Sequence, residues 1–209
     1  MRRKILAMAC IGLLAGTACD RTAPTPGATG ATGATETPAP APPPVAATAS
    51  SPDAEIEQLK TVKPVDACAL LTPEKLKAIY PDLAFEQHQT VAPQMSGYAW
   101  DSRCGYRAGV GTIEFAKDAP THAVDIAVVT VVSDAKAQAN LASRRELAKT
   151  ESSYQAQPEL GADAYTVTDT GMARIFFAKG QSEIQINLSE LDSPNATKVA
   201  KIIALAKSL

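Results

Sequence analysis

The stretch Ala164-Tyr-Thr-Val-Thr-Asp-Thr-Gly-Met-Ala-Arg-Ile-Phe-Phe-Ala-Lys-Gly-Gln-Ser-Glu-Ile-Gln-Ile-Asn-Leu-Ser189 decides the fold. It reads as three strands over residues 164–168, 173–178 and 182–189. They are joined at Thr170-Gly171 and Lys179-Gly180, the glycine turns expected of antiparallel hairpins. The last strand alternates cleanly. Ile184, Ile186 and Leu188 share one face and Glu183, Gln185 and Asn187 the other, the period of a strand buried on one side.

Working outward, Ser193-Pro194 follows as a helix start, and Val199, Ile202, Ile203 and Ala206 then fall on one helical stripe. Upstream, Ser133 or Asp134 caps a helix that runs to about Lys149, with Ala137, Leu141 and Ala148 on its inner side. Residues 124–132 are β-branched on both faces and read as a central, doubly buried strand. Further strands are expected over 84–89, 102–107 and 112–116. Ile113 and Phe115 share a face in the last of these, and Gly109-Val-Gly111 forms a hairpin turn. Thr72-Pro73-Glu74 opens a short helix, with Leu71 and Leu76 placed as a hydrophobic staple, and Tyr80-Pro81 ends it. This order predicts an α+β two-layer sandwich: a mainly antiparallel sheet packed with about three helices, a single domain over residues 55–209.

The N-terminus sets location. Met1-Arg-Arg-Lys4 precedes a short apolar run and then Gly16-Thr17-Ala18-Cys19. The run is too short to cross a bilayer, which takes about 20 residues, and fits a signal peptide over residues 1–18. Small residues directly before a cysteine match the lipobox, with Gly16 standing where leucine is usual, so Cys19 is the expected lipidation site. That reading puts the chain in a bacterial cell envelope, held to a membrane by acyl chains on Cys19. Each buried CH₂ of such a chain contributes roughly 0.8 kcal/mol. An ordinary signal peptide cut near Ala18 is the alternative. The Arg2-Arg3 pair has no other twin-arginine feature around it. Residues 19–54 are almost all Ala, Thr, Pro, Gly and Ser after the cysteine, a composition that cannot bury enough apolar surface to order itself, and they read as a tether.

Of the four cysteines, Cys10 leaves with the signal and Cys19 takes lipid, so Cys68 and Cys104 remain as a pair. In an exported domain one disulfide is the simplest use; two free thiols or a metal pair are the competing ones. The two histidines, His88 and His122, lie far apart in polar stretches and form no zinc spacing with the cysteines, so no metal or cofactor is expected. Both read as exposed loop residues. No nucleophile elbow, phosphate loop or dinucleotide fingerprint is present. Glu86 with Asp101, and Glu183 with Glu190, are the carboxylate pairs a glycosidase reading would need. A formal charge of −2 excludes a nucleic-acid footprint.

A non-enzymatic binding domain is therefore expected. Its candidate partner-binding loop is Met95, Tyr98, Trp100 and Asp101, with the chain's only tryptophan beside a cysteine-bearing strand. A protein partner in the envelope is the leading expectation, an immunity or inhibitor role its narrower form. A binder of a small apolar or cell-wall ligand, held between sheet and helices, is the alternative.

Cys68-Ala-Leu-Leu-Thr-Pro-Glu74, the later Arg103-Cys104-Gly-Tyr106 and Pro158-Glu-Leu-Gly-Ala-Asp-Ala-Tyr165 together resemble a family of small bacterial lipoproteins, best known from actinobacteria, whose function is unknown. The resemblance spans most of residues 65–209. It implies a disulfide-stapled α+β domain and carries no catalytic residue with it.

Overall fold

The structure is a computed structural model that describes residues 51–109 and 120–209. Cys19, the tether before Ser51 and the strand expected over 112–116 lie outside the described residues.

The expected α+β sandwich is present. Among the described residues seven strands form one antiparallel sheet: β1 (Glu86–Ser96), β2 (Ala99–Ala108), β3 (His122–Thr130), β4 (Gln155–Ala156), β5 (Tyr165–Asp169), β6 (Met172–Lys179) and β7 (Ser182–Glu190). Their spatial order is β1-β2-β3-β7-β6-β5-β4. The three C-terminal strands anticipated from their turns pair as a meander, and β7 then docks along β3 from Thr130↔Ser182 to His122↔Glu190.

Among the described residues five α-helices accompany the sheet: α1 (Pro52–Thr61), α2 (Ala67–Leu70), α3 (Pro73–Ile79), α4 (Asp134–Ala148) and α5 (Asn195–Ser208). Two of them escaped the periodicity reading. α1 begins at Pro52, inside the segment expected to be tether, where Ser51 accepts a hydrogen bond from the Ala54 amide and supplies the cap. α2 is a single turn capped by Asp66, too short for any 3.6-residue pattern to register. The Ser133 cap of α4 is as expected, its hydroxyl accepting from the Lys136 amide. Two other caps differ. Thr72 makes no side-chain capping bond, and α5 starts after Pro194, with Ser193 directed to Glu190 instead. Leu71 and Leu76 are both fully buried at the start of α3, as a staple requires.

One face of the sheet carries the core. Val124, Ile126 and Val128 of β3 meet Ile184, Ile186 and Leu188 of β7 and Ile175 and Phe177 of β6, and α5 covers them with Ile202, Leu205 and Ala206. Cys68 of α2 is bonded to Cys104 of β2, with the Cα atoms 5.0 Å apart, so the expected disulfide clamps that helix to the core face. α4 packs on the opposite face, where Leu141 and Ala148 cover Tyr165 and Val167 with Phe176 and Ala178 alongside. It spans β5 to β7 only. Among the described residues no helix packs over β1, β2 and β3 on that second face.

Candidate functional site on the open face of the sheet

Strand alternation sets which side chains reach the open face. In β3 the residues that are not in the core are Ala123, Asp125, Ala127 and Val129. Register places Arg103 and Gly105 of β2 beside Ala127 and Asp125, and Gln185 and Asn187 of β7 on the other side of the same two. The β1–β2 ladder slips between Gln87 and Gln89, so His88 is the extra residue of a β-bulge. A bulge redirects its side chain. Here the His88 ring lies over Gly105, where a Cβ would meet the imidazole Nε2 at 2.8 Å and would also strike Asp125 Oδ1. His88 Nε2 is 3.3 Å from Asp125 Oδ1. The approach has the distance of an ion pair but not the alignment of a hydrogen bond, since Oδ1 has no hydrogen-bond partner among the described residues. At 21 % and 38 % exposure, both side chains remain within reach of solvent.

Next to this pair lies a recess of about 310 Å³, walled by Gln89, Arg103, Asp125, Gln185 and Asn187. Along the same face toward α4, the buried Glu183 carboxylate accepts a hydrogen bond from Asn140 at 2.7 Å and lies 3.5 Å from Arg144. Beyond it, a second recess of about 510 Å³ is bounded by Tyr98, Val129, Val131 and the N-terminal ends of α1 and α4. Lys136 of α4 and Glu55 of α1 pair at 3.1 Å across its rim.

The candidate loop of the sequence reading is not a loop. Met95, Trp100 and Asp101 belong to strands β1 and β2, and Tyr98 sits in the tight turn between them, after Gly97 at φ +61°. An edge strand exposed along nearly its whole length, with register breaks at Gln87/Gln89 and Val91/Gln94, shows no apolar alternation from which to recognise it. Met95 pairs with Trp100 across the ladder. The Trp100 ring turns inward and its Nε1–H donates to the Leu59 carbonyl of α1 at 3.1 Å, so it fastens a helix to the hairpin. Tyr98 and Met95 remain 49 % and 37 % exposed at the tip. Asp101 lies farther along β2, opposite Gln94 and Val129.

Neither histidine is in a loop. His122 opens β3, its ring set edge-on against Tyr80 and its Nδ1 2.9 Å from the Thr121 hydroxyl. Glu86 and Asp101 stand at opposite ends of the β1–β2 ladder, and Glu183 and Glu190 at opposite ends of β7, so neither carboxylate pair is assembled. Among the described residues no three His, Cys, Asp or Glu side chains gather as a metal site. The residues missed from sequence are Gln89, Arg103, Gly105, Asp125, Gln185 and Asn187. Gly105, an isolated glycine in a strand, was the one signal of a close approach.

No protein-family model matches the chain, and no curated protein matches it. Among solved structures it is similar to the extracellular domain of PknH from Mycobacterium tuberculosis, at 13 % identity and a TM-score of 0.45, over 70 % of this chain and 97 % of that one. At that distance the similarity transfers no residue role.

Proposed function

We propose that this chain is an envelope lipoprotein, anchored through Cys19, whose domain binds a protein partner without catalysing a reaction. The observation that carries the reading is the β1–β2 tip, where Tyr98 and Met95 are exposed and Tyr98 borders the recess above Val129 and Val131. A tyrosine on a rigid hairpin loses little conformational freedom on binding and offers an apolar ring with a polar end, the profile of an interface anchor. The core between the sheet and α2, α3 and α5 is filled with side chains, so a ligand enclosed there is disfavoured.

A photo-crosslinking residue placed at Tyr98 in cells tests the partner. Tyr98 should yield one discrete adduct, whereas the same residue at Leu147, 74 % exposed on α4, should not. Equal labelling from both positions, or none from Tyr98, overturns the reading. For the anchor, Cys19→Ser should abolish incorporation of labelled palmitate and move the protein to the aqueous phase of a detergent partition. Unchanged labelling overturns that part alone.

A further inference from the structure

The recess at the His88 end of the open face differs in chemistry from the hairpin tip. All five wall side chains carry hydrogen-bonding groups, and Ala127 leaves the floor low. Gln185 Nε2 donates to Asn187 Oδ1 at 2.8 Å, which fixes both carboxamides in orientation. The Gln185 carbonyl oxygen and the Asn187 amide group are then left as an acceptor and a donor side by side, with no bond to the described residues. Arg103 and Asp125 line the same space yet make no ion pair with each other among the described residues. One positive and one negative group leave the recess without net formal charge, which disfavours a phosphate and a bare cation alike. Its volume of about 310 Å³ lies at the lower end of small-molecule sites, roughly 300–1,000 Å³.

We propose that this recess binds a neutral, polyhydroxylated ligand, an oligosaccharide. Each sugar hydroxyl is both donor and acceptor, so a row of carboxamides flanked by a guanidinium and a carboxylate satisfies such a ligand without needing charge on it. The small side chain of Ala127 leaves room for a ring to lie along the strands, and next to the recess the bulged His88 ring covers Gly105 and approaches the Asp125 carboxylate that forms part of its wall. Gly105 makes room for this arrangement, because a Cβ at that position would push the His88 ring and the Asp125 carboxylate aside. The proposal is independent of the hairpin-tip reading, since it uses neither Tyr98 nor Met95.

The test is an NMR titration of the whole chain with chitotetraose, cellotetraose, maltotetraose and mannotetraose, with inorganic phosphate as an anionic control and trialanine as a zwitterionic one. At least one sugar should bind saturably with Kd of about 1 mM or tighter, and move the amides of Gly105, Asp125, Gln185 and Asn187. Gln185→Ala should weaken it by about tenfold or more, as expected for a lost hydrogen-bonding partner, while Tyr98→Ala should change it less than about twofold. If Gln185→Ala does not fold by far-UV circular dichroism, the solvent-exposed Arg103→Ala serves as the second variant and should show the same loss. No saturable shift from any sugar overturns the proposal, as does tighter binding of phosphate or trialanine, or binding that is insensitive to the recess variants.

Discussion

Glu190 ends β7 with its carboxylate buried, where it accepts hydrogen bonds from Tyr80 and, at 3.0 Å, from Lys201. Burial pushes this carboxyl up. The bonds from Ser193, Tyr80 and Lys201, with the charge of Lys201, more than offset that and hold it below the ordinary glutamate value of 4.5. A carboxyl more acidic in the folded chain than in the unfolded one adds stability above its unfolded value and loses it as pH falls through the folded one. Tyr80 is held far above 10.0 by burial and by Glu190, so its contribution is complete below 10.0 and is lost as pH rises beyond it. The urea midpoint should therefore stay level between these limits, apart from other groups, and fall on either side. Glu190→Gln should flatten the acid limb, and an acid limb unchanged in that variant would show that other carboxyls carry it. Glu190→Ala, which leaves Lys201 and Tyr80 without their buried partner, should cost about 3–5 kcal/mol. At Gly105 the outcome is opposite in kind. The groups a new Cβ meets are side-chain ends that can swing aside, so Gly105→Ala should cost about 1 kcal/mol or less while separating His88 from Asp125. Thermal melts and the His88 ring shifts in NMR measure the two parts separately.

Among the elements, α2 is the one least able to hold itself. Its single turn is kept on β2 by the Cys68–Cys104 bond, assisted by the Ala67 amide donating to the Ser102 hydroxyl at 3.0 Å. A bond that closes a loop of 36 residues restricts the unfolded chain by about 4 kcal/mol in the chain-entropy description. Reduction, or Cys104→Ser, should lower unfolding free energy by about that amount and raise hydrogen exchange first in α2. Exchange rising equally in α4 would place the effect elsewhere. Helix α4 rests on packing instead, and Leu141→Ala should cost about 2–5 kcal/mol by chemical denaturation. The two elements also differ in how readable they were. The cap and inner face of α4 stood in the sequence as Ser133, Ala137, Leu141 and Ala148, because both are local features. α2 left no pattern because it is a single turn, and β1 left none because an exposed edge strand has no buried face to impose alternation.

On the scale of the whole domain, the main core lies against β2, β3, β7 and β6, a second cluster lies under α4 on the other face of the same sheet, and the Trp100–Leu59 bond fastens the hairpin to α1. Unfolding should then be a single cooperative transition. Trp100 fluorescence reports the β1–β2 end and far-UV circular dichroism reports the sheet, so the two should give coincident urea curves. A fluorescence transition at lower urea would show that the hairpin and α1 open as a separate unit. The helices are distributed unequally, with α2, α3 and α5 against one face and α4 over half of the other. The surface left between α4 and β1 contains both recesses.

What the amino-acid order determined by itself was local: the turns at Gly171 and Gly180, the face alternation of β7, and the Ser133 cap and inner face of α4. Each depends on neighbours within a few positions, where propensity and periodicity act. The meeting of His88, Gly105, Asp125, Gln185 and Asn187 was decided only in the tertiary structure. They come from four strands, and their contact depends on ladder register, on one bulge and on which half of the sheet α4 leaves uncovered. A polar side chain facing solvent and one facing a recess look the same along the chain, because the difference lies in what packs beside them.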